Sequence, residues 1–207
     1  MKLFLTLEGP DGSGKSTQAR LLADHMRGKG MDVLLTREPG GTAIGDQIRK
    51  VLMDLDNKGM APAAEFLLFS ASRAQLVRQV IRPHLDAGGV VVCDRFADSS
   101  LAYQGYGHRL PLPAVRAVNS LATGDLIPDR TFLLDISPEE GLRRRREHGA
   151  WNRLDDYDLE FHRRVSDGYL ELAKAEPARW IVVDAAKEEG EVWRQVERGL
   201  QTSRLKL

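Results

Sequence analysis

The run Leu3-Phe4-Leu5-Thr6-Leu7-Glu8 leads directly into Gly9-Pro10-Asp11-Gly12-Ser13-Gly14-Lys15-Ser16-Thr17. The apolar run predicts a buried strand. Beyond the glycines, Ala19, Leu22, Ala23 and Met26 recur at three- and four-residue steps, which predicts an amphipathic helix over 15–26. The spacing between them, G-x-x-x-x-G-K-S, is that of a phosphate-binding loop. A glycine-rich turn lets consecutive backbone N–H groups approach a polyphosphate closely, and the next helix starts with its positive dipole end on the phosphates. Lys15 would reach the β- and γ-phosphates, and Ser16 would offer its hydroxyl to Mg²⁺. An ordinary strand–helix turn is the plainer alternative, and the flanking strand and helix speak against it. Asp11 is an acid inside an anion-binding loop. It is either a turn former or an acceptor for a hydroxyl of a second substrate, and the loop alone leaves both open.

Outward from this unit, short apolar runs alternate with longer helical patterns. Strands are predicted at 32–36 (DVLLT), 90–93 (VVVC), 131–135 and 180–184, and helices at about 43–54, 61–85, 113–121, 138–147, 159–174 and 188–200. The 61–85 helix should break near Pro83, where a proline removes a backbone donor. Runs such as VVVC, apolar at every position, are strands covered on both faces. The fold class is α/β: a five-stranded parallel sheet with helices on both faces. Strand order cannot be read from the pattern.

The chain has 207 residues with 30 Lys+Arg against 30 Asp+Glu. That length suits a single domain, 1–207, with a large enough core to need no staples. The longest uncharged stretch, 99–108, is far below the roughly 18–20 apolar residues of a membrane span. Glu8 and Asp11 cut the N-terminal apolar run short of the roughly seven residues a signal peptide requires. The lone Cys93 permits no intrachain disulfide and predicts a reducing, cytoplasmic setting. Zero net charge gives no bulk electrostatic reason to bind nucleic acid. The five histidines show no close pair at metal-ligand spacing, which argues against zinc.

A phosphate loop serves switches, motors and kinases alike. The only start of a guanine-reading N-K-x-D is Asn57-Lys58, and Met60 stands where the Asp belongs. A small kinase needs cations for an anionic acceptor, a recognition pocket and a basic cover. Arg37 follows the second strand and Arg95 the third, at the strand ends where open α/β sheets bind ligands. Asp94 ends the third strand as a metal-holding acid would. Asp135 competes, and Asp94 is favoured because Arg95 adjoins it. Arg143-Arg144-Arg145-Arg146, with Arg153 beyond, is a solvated helix face in the bland reading. Gly149 and Asn152 behind the run instead suggest a hinged lid at about 141–156 that closes arginines over the transferring phosphate.

Three strings carry a family resemblance: LEGPDGSGKST (7–17), TREPGGT (36–42) and DRFADSSLAYQG (94–105), supported by LFSASR (68–73). On these the chain resembles the bacterial thymidylate kinases, of the P-loop nucleoside monophosphate kinase type, over essentially its whole length. The resemblance implies ATP on Gly9, Pro10, Asp11, Gly12, Ser13, Gly14, Lys15, Ser16 and Thr17, with Mg²⁺ at Ser16 and Asp94. It implies dTMP in the neighbouring cleft, phosphorylated to dTDP. Asp11 would then meet the 3′-hydroxyl, Arg37 and Arg95 the phosphate, and Phe69 the thymine face. Arg73 would bond the thymine carbonyl, Ser100 and Gln104 would complete the base site, and Tyr103 would exclude a 2′-hydroxyl. Lys15, Arg95 and the lid residues Arg144, Arg146 and Arg153 would be the catalytic cations. Two lid positions depart from the family: Asn152 stands where Asp is common before Arg153, and His148 where Arg is frequent. The resemblance also implies a homodimer packed through its helices.

Overall fold

The computed structural model describes residues 2–147 and 151–202. In chain order the elements are β1 (Leu3–Glu8), α1 (Lys15–Gly28), β2 (Val33–Arg37), α2 (Ala43–Met53), α3 (Pro62–Leu76), α4 (Arg82–Asp86), β3 (Val90–Asp94), α5 (Ala97–Ser100), α6 (Leu112–Thr123), β4 (Arg130–Asp135), α7 (Pro138–Glu147), α8 (Leu159–Ala175), β5 (Trp180–Asp184) and α9 (Glu189–Thr202). The five strands form one parallel sheet in the order β2-β3-β1-β4-β5. The first strand in sequence is therefore the middle strand in space, and it carries the phosphate loop at its C-terminal end.

The three central strands β3, β1 and β4 are buried on both faces, as the interior of a parallel sheet requires. The edge strands β2 and β5 are covered only in part, and Val182 of β5 is 53% exposed. Leu3, Leu5 and Leu7 pack against Leu22 and Met26 of α1 and Val192, Val196 and Leu200 of α9. Phe4 points the other way, with Val91, Cys93, Leu76, Ile81 and Phe96. A third cluster joins Leu133 and Trp180 to Phe161, Val165 and Tyr169 of α8. Thr6 and Thr131, both fully buried on adjacent strands, satisfy one another hydroxyl to hydroxyl at 2.9 Å.

Two local readings are refined. The 61–85 helix is a continuous helical run whose irregularity lies ahead of Pro83, as a π turn over Val77–Ile81. Proline 83 has no N–H to give, and the Arg82 N–H reaches five residues back to the Val77 carbonyl. The second concerns residues 97–107, to which the periodicity assigned nothing. They form α5 and a π-helical turn, Leu101–Gly107. That turn is buried nearly all round, so it has no polar stripe to produce an amphipathic signature. The hinge residue Gly149 and the departure at His148 lie outside the described residues.

Candidate active site

The phosphate loop is built against β4 and α7. A Cβ at Gly12, whose φ is 79°, would overlap the Gly141 carbonyl, and one at Gly141 would overlap the Asp11 carbonyl. Neither position tolerates a side chain, which fixes the loop to the first turn of α7. Residues 11–17 line a cavity of about 520 Å³, whereas Gly9 and Pro10 are buried and off its wall. Lys15 folds back over the loop, its Nζ donating to the Pro10 carbonyl at 2.6 Å and to Ser13 Oγ at 3.2 Å. Burial and the neighbouring Arg95 push its ammonium down to about 8, against the opposing pull of Asp11, Asp94 and Glu8. Ser16 donates its hydroxyl to Asp94 Oδ2, and Asp94 Oδ1 is buried with no partner among the described residues.

Arg95 follows β3 at φ 71°, a left-handed conformation that costs a non-glycine residue about 1–3 kcal/mol. Its N–H bonds the Leu7 carbonyl at 2.9 Å, and Cys93 Sγ donates to its carbonyl at 3.0 Å. Glu8 secures the turn. Its buried carboxylate accepts from Phe96 N at 2.7 Å, Ser99 Oγ at 2.6 Å and Tyr169 Oη at 2.9 Å. Burial and the charge of Asp98 raise Glu8 to about 7 despite Arg95 nearby. So placed, Arg95 donates to Asp11 Oδ1 at 2.8 Å, while Tyr103 donates to Asp11 Oδ2 at 2.6 Å. Burial opposes ionisation of Asp11, yet Arg95, Lys15 and the Tyr103 hydrogen bond outweigh it and hold the carboxyl well below the usual range.

Arg37 and Arg49 stand at the same end of the cavity, with Phe69, Ser100, Tyr103 and Gln104 along the wall. Burial and the like charge of Arg37 lower the basicity of Arg49, so this corner is rich in positive charge. At the other end Arg144 clamps the segment after β5, donating to the Ala185 carbonyl at 3.0 Å and the Ala186 carbonyl at 3.3 Å. Arg145 also lines the cavity and is held by Asp155 at 2.7 Å. A cation-rich phosphate loop thus faces a second anion corner across one cleft, with an aromatic face between them.

The family model for thymidylate kinase matches residues 7–196. The chain is 56% identical to a thymidylate kinase of Roseiflexus sp. (strain RS-1) over 197 residues, 89% of this chain and 87% of that protein. It is 52% identical to a thymidylate kinase of Deinococcus radiodurans over 202 residues, 95% of this chain and 98% of the relative. The chain belongs to the thymidylate kinase family. A solved thymidylate kinase of Ehrlichia chaffeensis has the same fold, with a TM-score of 0.80 at 35% identity over 97% of this chain and 98% of that one.

Within this thymidylate kinase fold, several expected residues lie elsewhere than expected. Arg73 does not line the cavity. It is 1% exposed, and its five N–H donors are taken by Glu38, Ser100, Asn119 and the Phe96 carbonyl. It supports Ser100 from behind and presents no donor to a base. Arg153 is likewise no mobile cation. It is buried against Glu65 at 2.7 Å and the Leu52 carbonyl at 2.8 Å. Arg146 is exposed, with its guanidinium 5.1 Å from the Trp151 ring, off the cavity wall. The four consecutive arginines spread over about 300° of the helix circumference, and of them only adjacent Arg144 and Arg145 line the cavity. Asp135, the competitor for the metal-holding acid, is absent from the cavity wall. The sequence marks Arg145 only as one of the arginine run and gives Glu8, Arg49, Glu65 and Asp155 no place in the site. Partners of Glu8 and Glu65 lie 161 and 88 residues away, so no local pattern marks them.

Proposed function

We infer that this protein transfers the γ-phosphoryl group of ATP to dTMP, giving ADP and dTDP. The observation that carries this reading is the single cleft joining the Lys15 loop to the Arg37, Arg49 and Arg95 corner past the half-buried ring of Phe69. ATP phosphates would occupy 11–17, with the adenine end toward Arg144, Ala185 and Val192. The acceptor phosphate would sit among Arg37, Arg49 and Arg95, its sugar against Asp11 and Tyr103, and its base over Phe69 toward Ser100 and Gln104. No strong general base is required, because a phosphomonoester with a second pKa of about 6 is already largely dianionic at pH 7. Catalysis is then alignment of the two phosphates together with charge neutralisation by Lys15, Arg95, Arg144 and Arg145. The segment over 141–156 would serve as the cover, with Arg145 as its inward cation and Arg153 as its anchor.

The donor set suits Mg²⁺. Ser16 Oγ and the unpartnered Asp94 Oδ1 are hard oxygen groups beside the phosphate loop. Among the described residues no three His, Cys, Asp or Glu side chains are grouped to cage a metal, so the ion would share its coordination with phosphates and water. When bound, Mg²⁺ supplies neutralisation of the β,γ-oxygens.

A homodimer accounts for a second feature. Ile44 and Val51 on α2, Leu67 on α3 and Leu121 on α6 are large apolar residues at 46–84% exposure. A second copy covering α2, α3 and α6 would bury them. The lone, buried Cys93 supports a cytoplasmic setting, and no described helix is long and apolar enough to cross a membrane. An ADP-release screen over the common nucleoside monophosphates tests the main reading. Release should depend on both dTMP and Mg²⁺. Silence with dTMP alongside turnover of another monophosphate would overturn it.

A further inference from the structure

Glu65 is wholly buried on α3, outside the cavity wall, and its carboxylate accepts from four side chains. Oε1 takes Gln104 Nε2 at 2.8 Å and His108 Nε2 at 3.2 Å, and Oε2 takes Arg153 Nη2 at 2.7 Å and Tyr157 Oη at 2.8 Å. Burial opposes its ionisation. The hydrogen bond and charge of His108, then Gln104 and Arg153, prevail and bring it down to about 2. The group is therefore an acceptor only.

That fact decides the orientation of Gln104. A primary amide can be turned either way in a pocket, offering a carbonyl oxygen or an NH₂ group. Facing an ionised carboxylate it must present its NH₂, as the 2.8 Å contact records. Its Oε1 has no donor among the described residues, and the side chain lines the cavity. The cavity consequently meets a hydrogen-bond acceptor at this point. A pyrimidine with a protonated N3, as in thymine or uracil, complements an acceptor; cytosine, whose N3 is itself an acceptor, does not. A site built to hydrogen-bond one of these leaves a buried group unpaired with the other, which discriminates far more strongly than a missing methyl.

We propose that Glu65 is a specificity-determining positioning residue, which locks the Gln104 amide so that the kinase selects keto pyrimidine monophosphates over cytidine monophosphates. The proposal rests on the acceptor site assigned above. Arg153 uses the other oxygen of the same carboxylate, so one buried charge both orients the base reader and anchors the segment that follows the arginine run.

The test compares dUMP with dCMP, which share everything except the C4 substituent and N3 protonation, and so removes the methyl from the comparison. On the unmodified protein kcat/KM should favour dUMP at least 100-fold. Comparable turnover of dCMP would overturn the proposal, whereas absent turnover of dTMP would instead strike the functional reading. In Glu65→Gln, whose neutral amide can donate as well as accept, Gln104 is free to turn, and the dUMP/dCMP ratio should fall at least tenfold while KM for ATP holds. Glu65→Asp keeps the charge for Arg153 and should fold where Glu65→Gln does not. It withdraws the carboxylate by one methylene and should lower the ratio too. In a Gln104→Leu background either change should leave the ratio unmoved. A folded Glu65 variant with the unmodified ratio overturns the proposal.

Discussion

Tyr103 donates its hydroxyl to Asp11 at 2.6 Å, and Arg95 reaches the same carboxylate at 2.8 Å. The acid that looks out of place in an anion-binding loop thereby ties that loop to Arg95 after β3 and to the turn over Leu101–Gly107. Replacing it with Asn leaves the Arg95 guanidinium without its counter-charge and removes one acceptor for Tyr103. Asp11→Asn should lower kcat/KM for dTMP about 100-fold, the scale of a lost charge-assisted hydrogen bond of about 1.5–3 kcal/mol amplified by misplacement of Arg95. KM for ATP should change little. Steady-state kinetics with each substrate varied in turn checks both.

Lys15 should impose an upper pH limit on nucleotide capture. Its ammonium is pushed down to about 8 by burial and Arg95, so the free protein loses this charge as pH rises through 8. Because kcat/KM reports ionisations of the free enzyme, kcat/KM for ATP should decline above about pH 8. Lys15→Arg, whose charge persists, should remove that decline even if its overall activity is lower. A profile flat to pH 9.5 in the unmodified protein contradicts the prediction.

Glu8 should make stability fall with pH in the range where most carboxylates have finished titrating. Its folded value of about 7 lies above the ordinary 4.5, so between the two the folded state holds a proton that the unfolded state has released. Stability therefore decreases as pH rises from about 4.5 to about 7, by an amount on the order of 3 kcal/mol. Glu8→Gln cannot titrate. The difference in Tm between the unmodified protein and Glu8→Gln should shift in favour of the variant from pH 5 to pH 8, as followed by thermal melts at constant ionic strength.

The arginines of the 141–156 segment should separate by role. Arg145→Ala should lower kcat at least 100-fold, as loss of a cation at the transferring phosphate does, with a modest effect on Tm. Arg146→Ala, at an exposed site against Trp151, should leave kcat and Tm nearly unchanged. Arg153→Ala removes the buried guanidinium paired with Glu65, one of its four partners, a loss of about 3 kcal/mol that should lower Tm by about 10 °C. Parallel kinetics and melts on the three variants check the sorting.

Several parts of the molecule were legible without coordinates because their signals are local. The five strands are apolar runs of four to six residues, and each was recovered to within one or two residues. The phosphate loop is a contiguous motif whose spacing is its mechanism. Arg37, Asp94 and Arg95 could be placed because ligands gather at the C-terminal ends of parallel strands. The π-helical turn at Leu101–Gly107 stayed hidden for a physical reason: buried all round, it lacks the two-faced pattern that announces a helix.

Sequence alone therefore determined the α/β class, the nucleotide loop and the family, since these depend on neighbours along the chain. Tertiary structure alone decided which charges act where. The Arg73 and Arg153 guanidiniums that read as cleft cations are interior posts. Glu8 and Glu65, to which no sequence pattern assigns a place in the site, hold the turn after β3 and the Gln104 amide in place. Their partners lie far off in sequence: Glu8 meets Tyr169 across 161 residues, and Glu65 meets Arg153 across 88. A buried charge persists only where it is paired and hydrogen-bonded, and which partner comes within 3 Å is settled by the packing of helices on the sheet, which no local pattern encodes.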